Sequence, residues 1–332
     1  MIPSALRAVS VDTPRTSPAG SGSAQSAAPS TSPCNLCPRL CGAHRDEGQR
    51  GVCGAAGEVL VARAALHFWE EPPLSGAAGS GAVFFVNCQL HCVYCQNAEI
   101  AAGDSGVAVS EERLADLFLN LQAQGALNVN CVTPTHYSLQ IARAVELARQ
   151  RGLSLPIVWN TSGYERVPVV EALGATVNVY LADFKYADAQ MAQRYSHAPD
   201  YPDVALEAIE AMARQADEPR FDEVDGLPRM TGGVVVRHLV LPGALEQSKQ
   251  ALSMLFERFG NAVLYSVMNQ YTPVMPAVSL ERYPELAARV PDAEYEELLD
   301  FADSLGMEDY FWQEGPAAEE SFIPAWDGTG VL

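Results

Sequence analysis

The sequence predicts an α/β fold on a parallel sheet, a partial (β/α)6 TIM-like barrel with a small Cys-rich N-terminal module. Three observations carry this. From about residue 82 onward, short runs rich in β-branched and aromatic residues alternate with longer amphipathic segments, the pattern of strands joined by helical crossovers. About six such units are present, where a closed α/β barrel needs eight. Ahead of them, Cys34, Cys37, Cys41 and Cys53 cluster in a Gly-rich stretch that has little apolar material of its own.

Each element has its own justification. Residues 1–32 are rich in Ser, Ala, Pro and Gly, cannot bury enough surface to offset chain entropy, and read as a disordered tail. The Cys-rich module occupies 33–58, the barrel 59–310 and a C-terminal tail 311–332. One or two short elements are expected over 59–69, then a Gly-rich turn over 75–81. The predicted strands are 82–86, 129–132, 156–159, 177–182, 234–241 and 263–267. A helix is predicted over 111–124, with Leu114, Leu117, Phe118 and Leu121 on one face and Ser110 as N-cap. Further helices are predicted over 138–150, 167–173, 187–214 with a break near Pro199 and Pro202, 247–259 and 294–305. In such sheets, ligands sit at the carboxyl ends of the strands.

The chain has 332 residues, 48% of them apolar, enough for a substantial core. Its 21 basic and 41 acidic residues leave a net charge of −20, which repels phosphate backbones and anionic lipid and argues against nucleic-acid or membrane partners. No apolar run approaches the ~20 residues of a membrane span, and no secretory signal is evident. A cytoplasmic location is expected, where eight cysteines point to metal ligands or reactive thiols more than to disulfides.

Cys88, Cys92 and Cys95 are spaced C-x3-C-x2-C directly after the first predicted barrel strand. A loop leaving a strand end can wrap three thiolates around one compact object, and thiolates suit zinc and iron–sulfur clusters. Three ligands leave one iron of a cubane open, whereas structural zinc is normally closed by four. A zinc loop with His91 as fourth ligand is the alternative. Cys34, Cys37, Cys41 and Cys53, spaced C-x2-C-x3-C-x11-C, imply a metal that organises the module. Zinc and an auxiliary Fe–S cluster both satisfy the set, with a lean to zinc because the pattern looks ribbon-like.

The stretch from Asn87 to Asn97, with Tyr94 just before the last cysteine, resembles the signature loop of radical S-adenosylmethionine (radical SAM) enzymes. The resemblance runs from about residue 34 to the end. It is closest to the pyruvate formate-lyase activating enzyme homologue branch, supported by Glu70-Glu71-Pro72-Pro73, Gly79-Ser80-Gly81, the turn from Asn160 to Tyr164, Asp183-Phe184-Lys185-Tyr186 and the run from Arg237 to Gly243. It implies a [4Fe–4S] cluster on Cys88, Cys92 and Cys95. S-adenosyl-L-methionine would be reductively cleaved to a 5′-deoxyadenosyl radical that abstracts hydrogen from a substrate. An electron donor of the flavodoxin or ferredoxin type is implied as well.

The resemblance also implies cofactor-binding roles. Tyr94 corresponds to the residue beside the adenine, with a core aromatic as the plain alternative. Asp183 and Lys185 correspond to a pair that contacts the methionine and ribose portions, or form only an internal salt bridge. Arg237 corresponds to a carboxylate-binding arginine, whose fork suits that group. Asn160 and Ser162 stand where the family has an Asp-Thr-Asn-Gly-like turn. The Gly-Gly-Glu-like amine-binding motif of activating enzymes is absent; its place reads Thr133-Pro134-Thr135-His136-Tyr137. Thr133, Thr135 or His136 then becomes the candidate for the amine, with Thr135 as a helix N-cap the alternative. His67, Glu70 and Glu71 are candidates for the pocket mouth, with an exposed acidic turn before Pro72-Pro73 the favoured reading, and Cys131 is expected as a buried free thiol.

The expected activity is that of a radical SAM oxidoreductase of activating-enzyme type, acting on a substrate the sequence does not identify; a glycyl radical enzyme is the candidate protein partner. The alternatives are a radical SAM modifier of a small molecule or protein side chain, and a non-catalytic Fe–S or metal-binding adaptor.

Overall fold

The computed structural model describes residues 27–103, 105–275, 277–313 and 324–332; positions 1–26 of the expected N-terminal tail lie outside them. Residues 27–32 do not behave as a tail. Ser30 N donates to Asn35 Oδ1 at 2.7 Å, Asn35 Nδ2 donates to Ala28 O at 2.9 Å, and Thr31 bridges Cys34, so this segment belongs to the Cys-rich module.

The strands are β1 (Val59–His67), β2 (Ser80–Phe85), β3 (Val107–Val109), β4 (Val129–Val132), β5 (Ile157–Thr161), β6 (Val179–Asp183), β7 (Arg220–Val224), β8 (Leu227–Leu239), β9 (Leu264–Met268) and β10 (Tyr310–Trp312). They lie in the order β10-β9-β8-β6-β5-β4-β2-β1-β3, with β7 paired to β8. From β2 to β10 this path is parallel, and β1 and β3 add an antiparallel edge. The architecture is the expected α/β partial barrel with a Cys-rich N-terminal region. All six predicted strands are present, and β10 adds a seventh parallel member.

The expected C-terminal tail, of which 314–323 lie outside the described residues, is therefore corrected at both ends. β10 joins the sheet. Beyond it, Trp326 packs edge-on against Phe84 with ring centroids 5.1 Å apart, Thr329 O accepts from Ala64 N at 3.0 Å, and Val331 is buried. A second correction concerns β8, which starts seven residues earlier than predicted because it pairs with β7. Asp225 and Gly226 connect them at φ +52° and +78°, the left-handed pair that a two-residue hairpin turn demands.

Packing follows the strand period. β2, β4 and β5 are buried along their whole length, as parallel strands covered on both faces must be. Val83, Phe85, Cys131, Trp159, Tyr180 and Val236 join the large core shared with the helices. Their neighbours Phe84, Val132, Asn160, Asp183, Arg237 and Ser266 face the other side and line a cavity. The helix Glu111–Ala123 buries the four predicted apolar residues, and Ser110 Oγ accepts from Arg113 N at 3.2 Å. Ser110→Ala is expected to lower unfolding stability by about 1 kcal/mol, read as a lower urea midpoint at unchanged slope. No helix among the described residues is long and apolar enough to cross a membrane.

Candidate active site

The carboxyl ends of β2, β4, β5, β6, β8 and β9 surround a cavity of about 460 Å³. The loop after β2 forms one wall. Asn87 at φ +76° and His91 at φ +49° coil this loop in left-handed conformations. Leu90 is buried in the core, and Val93 N donates to Tyr195 O at 2.9 Å, so both flanks of the coil are anchored. Cys88, Cys92 and Cys95 all open into the cavity. Ser196 Oγ donates to Cys92 Sγ at 3.0 Å, and Leu90 N donates to Cys88 Sγ at 3.5 Å. His91 is turned away: its Nε2 lies 3.3 Å from Val52 O, which removes it as a fourth ligand. Burial pushes the Cys88 thiol up to about 11 and Cys95 up to about 12, with neighbouring Cys92 adding to both. Thiols so placed become thiolates when a metal replaces the proton.

Opposite the loop lies a connected set of charges. Arg237 Nε donates to Asp183 Oδ1 at 2.8 Å, Nη1 to Glu70 Oε2 at 3.2 Å and Nη2 to Asn160 Oδ1 at 2.7 Å. Lys185 Nζ donates to Asp183 Oδ2 at 2.5 Å. Glu70 Oε1 accepts from Asn130 at 2.9 Å and Asn160 at 3.2 Å. The side chains of Glu70, Arg237, Asp183 and Lys185 are only 8%, 12%, 15% and 16% exposed. Burial opposes the Asp183 charge, but Arg237 and then Lys185 outweigh it and hold the carboxyl below its usual range. Burial raises Glu70 and Glu71, with Arg237 offsetting only part of the rise. Tyr201 locks the strand ends: its single hydroxyl proton is shared between Ser162 O at 2.8 Å and Asp183 O at 2.9 Å, and its oxygen accepts from Lys185 N at 2.9 Å. A Cβ on Gly163, at φ +75°, would stand 2.2 Å from Asp183 O, so only glycine permits this approach.

The structure thus brings Cys88, Cys92, Cys95, Tyr94, Asn160, Ser162, Asp183, Lys185 and Arg237 to one cavity. Tyr94 is also a core residue, ringed edge-on by Tyr186, Tyr195 and Tyr271, with its hydroxyl accepting from Tyr186 at 2.8 Å. His136 is the exception and is corrected. It does not line the cavity; its Nε2 lies 2.8 Å from Val86 O, and burial drives its pKa down to about 3. Thr135 likewise turns into the interior, where its hydroxyl donates to Glu165 Oε1 at 2.7 Å.

For the acidic pair Glu70–Glu71 the pocket-mouth reading holds and the favoured exposed turn is corrected. Both carboxylates are buried and line the cavity. The cause is local and tertiary together. Pro72 and Pro73 start a one-turn helix, Pro72–Ser75, whose Leu74 inserts among Val158, Val179, Leu181 and Val235 on the inner face of the sheet. That anchor holds the preceding glutamates against Arg237. Asn130, Ser266 and Gln270 are further polar groups at the site that no motif marked.

His238, one residue beyond Arg237, points to the other side of β8. Its ring nitrogens lie 2.7 Å from Phe184 O and 2.9 Å from Ser248 Oγ, and burial lowers its pKa to about 4. The unfolded chain therefore binds the proton more readily than the fold does. Stability is full above the ordinary histidine range near 6.5 and is lost as pH falls from there toward 4. His238→Gln should flatten the slope of urea-unfolding stability against pH in that window.

In the module, Cys34, Cys37, Cys41 and Cys53 converge: a Cβ on Gly51 would lie 3.2 Å from Cys41 Sγ and 3.6 Å from Cys53 Sγ, and Cys34 and Cys37 are buried in the same module. No three of the four sulfurs lie within 4.8 Å of one another.

Comparison with known proteins places the chain beside an uncharacterized protein of Methanocaldococcus jannaschii, 26% identical over 285 residues, which cover 83% of this chain and 75% of that protein. Among solved structures, Streptococcus suis SuiB bound to the precursor peptide SuiA aligns with a TM-score of 0.45 and 14% identity over 69% of this chain. The alignment covers 46% of the SuiB chain, so this chain spans less than half of its length. No family model matches the chain.

Proposed function

We propose that the chain is a radical SAM enzyme, in which Cys88, Cys92 and Cys95 hold a [4Fe–4S] cluster and the cavity beside them holds S-adenosylmethionine. The observation that carries this reading is the convergence, in one cavity, of a three-thiol loop whose own histidine is turned away and a buried set of paired charges facing it. The donor set fits: three thiols open to the cavity suit a cluster with one iron left for a small-molecule ligand. A volume of about 460 Å³ lies within the ~300–1,000 Å³ of small-molecule sites. When bound, this pair supplies one-electron reductive cleavage of the sulfonium to a 5′-deoxyadenosyl radical.

The protein's own residues bind and shield. Lys185 and Arg237 present cations to a carboxylate. Asp183, Glu70 and Glu71 present acceptors to an ammonium or to hydroxyls, so Glu70 or Glu71 takes the place left by the missing Gly-Gly-Glu-like motif. Tyr94 and Phe84 wall the chamber. At its mouth, Phe68, Trp69 and Trp312 are half-exposed, a surface that favours a peptide or protein segment as substrate. Activation of a glycyl radical enzyme is one form of that reading. The adaptor alternative is opposed by the buried charges, which are expensive to hold in place without a ligand to recognise.

The test is 5′-deoxyadenosine formation by anaerobically reconstituted, dithionite-reduced protein, together with the electron paramagnetic resonance (EPR) change when S-adenosylmethionine is added. Nucleoside release or a shifted cluster signal supports the reading. A fully loaded, reducible cluster that shows neither would sink it.

A further inference from the structure

The Cys-rich module is wired to the cysteine loop at three points. Arg39, two residues past Cys37, donates from Nε to Gln89 O at 3.0 Å and from Nη2 to Ser196 O at 2.8 Å, and the Ser196 hydroxyl is the donor to Cys92 Sγ at 3.0 Å. Val52 O, adjacent to Cys53, meets His91 Nε2, adjacent to Cys92, at 3.3 Å. On the other side of Cys53, Gly54 lies so near Asn87, the neighbour of Cys88, that a Cβ there would stand 2.6 Å from Oδ1. Each contact therefore starts within two residues of a module cysteine and ends on a neighbour of a loop cysteine in the chain, or on Ser196, which touches Cys92 Sγ.

Two further features bear on what the module holds. Arg45 is 1% exposed, its Nη1 is 4.0 Å from Cys34 Sγ, and its Nη2 has no hydrogen-bond partner. The carbonyl oxygens of Ala56 and His136 accept from this guanidinium without neutralising it, and metal-bound thiolates would supply the counter-charge. Around a single zinc at ~2.3 Å, tetrahedral geometry sets thiolates about 3.8 Å apart. Neither the four module sulfurs nor Cys88, Cys92 and Cys95 contain a trio within 4.8 Å. In neither set are three sulfurs drawn up at that spacing.

We infer that Cys34, Cys37, Cys41 and Cys53 hold a second iron–sulfur cluster that passes single electrons to the cluster on Cys88, Cys92 and Cys95. This rests on the cluster reading of the loop. A low-potential one-electron donor of the flavodoxin or ferredoxin class is oxidised as the module cluster is reduced. The module cluster is then reoxidised as it reduces the loop cluster; no group or proton moves. Zinc has no redox chemistry and would make these contacts purely structural.

The experiment uses the full chain and the Cys88→Ala/Cys92→Ala/Cys95→Ala variant, which leaves the module's own ligands intact. Both are reconstituted anaerobically with iron and sulfide; iron, labile sulfide and zinc are counted, and EPR spectra recorded after dithionite. The expected result is about eight irons in the wild type and about four, with a reduced-cubane signal, in the variant. One zinc and no iron in the variant overturns the inference and leaves the loop cluster standing. About four irons in both proteins would confine iron to the module, and would sink the reading of the loop and the relay with it.

Discussion

Replacing Cys88, Cys92 and Cys95 together by alanine is expected to abolish 5′-deoxyadenosine formation to the level of a protein-free control and to remove about four irons per chain. The three thiols have no substitute: His91, the one other ligand-type side chain in the loop, is committed to Val52 O. Truncating Cys92 also releases Ser196 from its sulfur contact, but Leu90 and Tyr94 keep the loop seated in the core. Folding should therefore survive. Far-UV circular dichroism and a urea midpoint within the range of ordinary surface variants would separate loss of chemistry from loss of structure. A triple variant that still released the nucleoside would place the chemistry elsewhere.

Arg237→Ala is expected to have the largest effect on stability, about 3–5 kcal/mol, because it strands Glu70 as a buried carboxylate without its counter-charge and leaves Asp183 with Lys185 alone. The sign of its pH dependence follows from the pairing. In the wild type, Asp183 is held below its usual range and contributes stability above its unfolded pKa, which is lost as pH falls through the folded one. In the variant, both carboxyls titrate upward, and their burden is present at neutral pH and relieved by protonation. The gap between the two proteins should narrow as urea unfolding is moved from pH 7 toward 5. Arg237→Lys keeps one charge but cannot reach Asp183, Glu70 and Asn160 at once, so it should fall between the two. A second change, Glu70→Gln in the Arg237→Ala background, should recover part of the loss. A gap that stays constant with pH would show that packing, not charge, dominates at this position.

Much of the architecture was legible because its signals are local. The alternation of apolar runs and amphipathic segments marked all six predicted parallel strands, and the 3.6-residue period of Leu114, Leu117, Phe118 and Leu121 marked a helix with its cap at Ser110. The hairpin was missed since β7 is largely exposed and residues 227–232, the part of β8 that pairs with it, carry no apolar run; its available signal was Asp225-Gly226, the turn pair for φ above zero. β10 was missed because three residues are too few for a period.

The sequence by itself determined the fold class, the two cysteine sets and the strand-end residues Asn160, Asp183 and Arg237, because spacing and strand period place side chains relative to near neighbours. The tertiary structure alone decided which of them meet and what else joins them. Glu70 and Glu71 read more readily as a solvated acidic turn than as pocket residues until Leu74 is seen driven into the sheet. His136 reads as a pocket residue until its ring is found against Val86, and the last residues read as a tail until β10 pairs with β9. The physical reason is common to all three: the burial of a polar side chain and the pairing of a short strand are both set by segments distant in the chain, and no local pattern encodes how those segments pack.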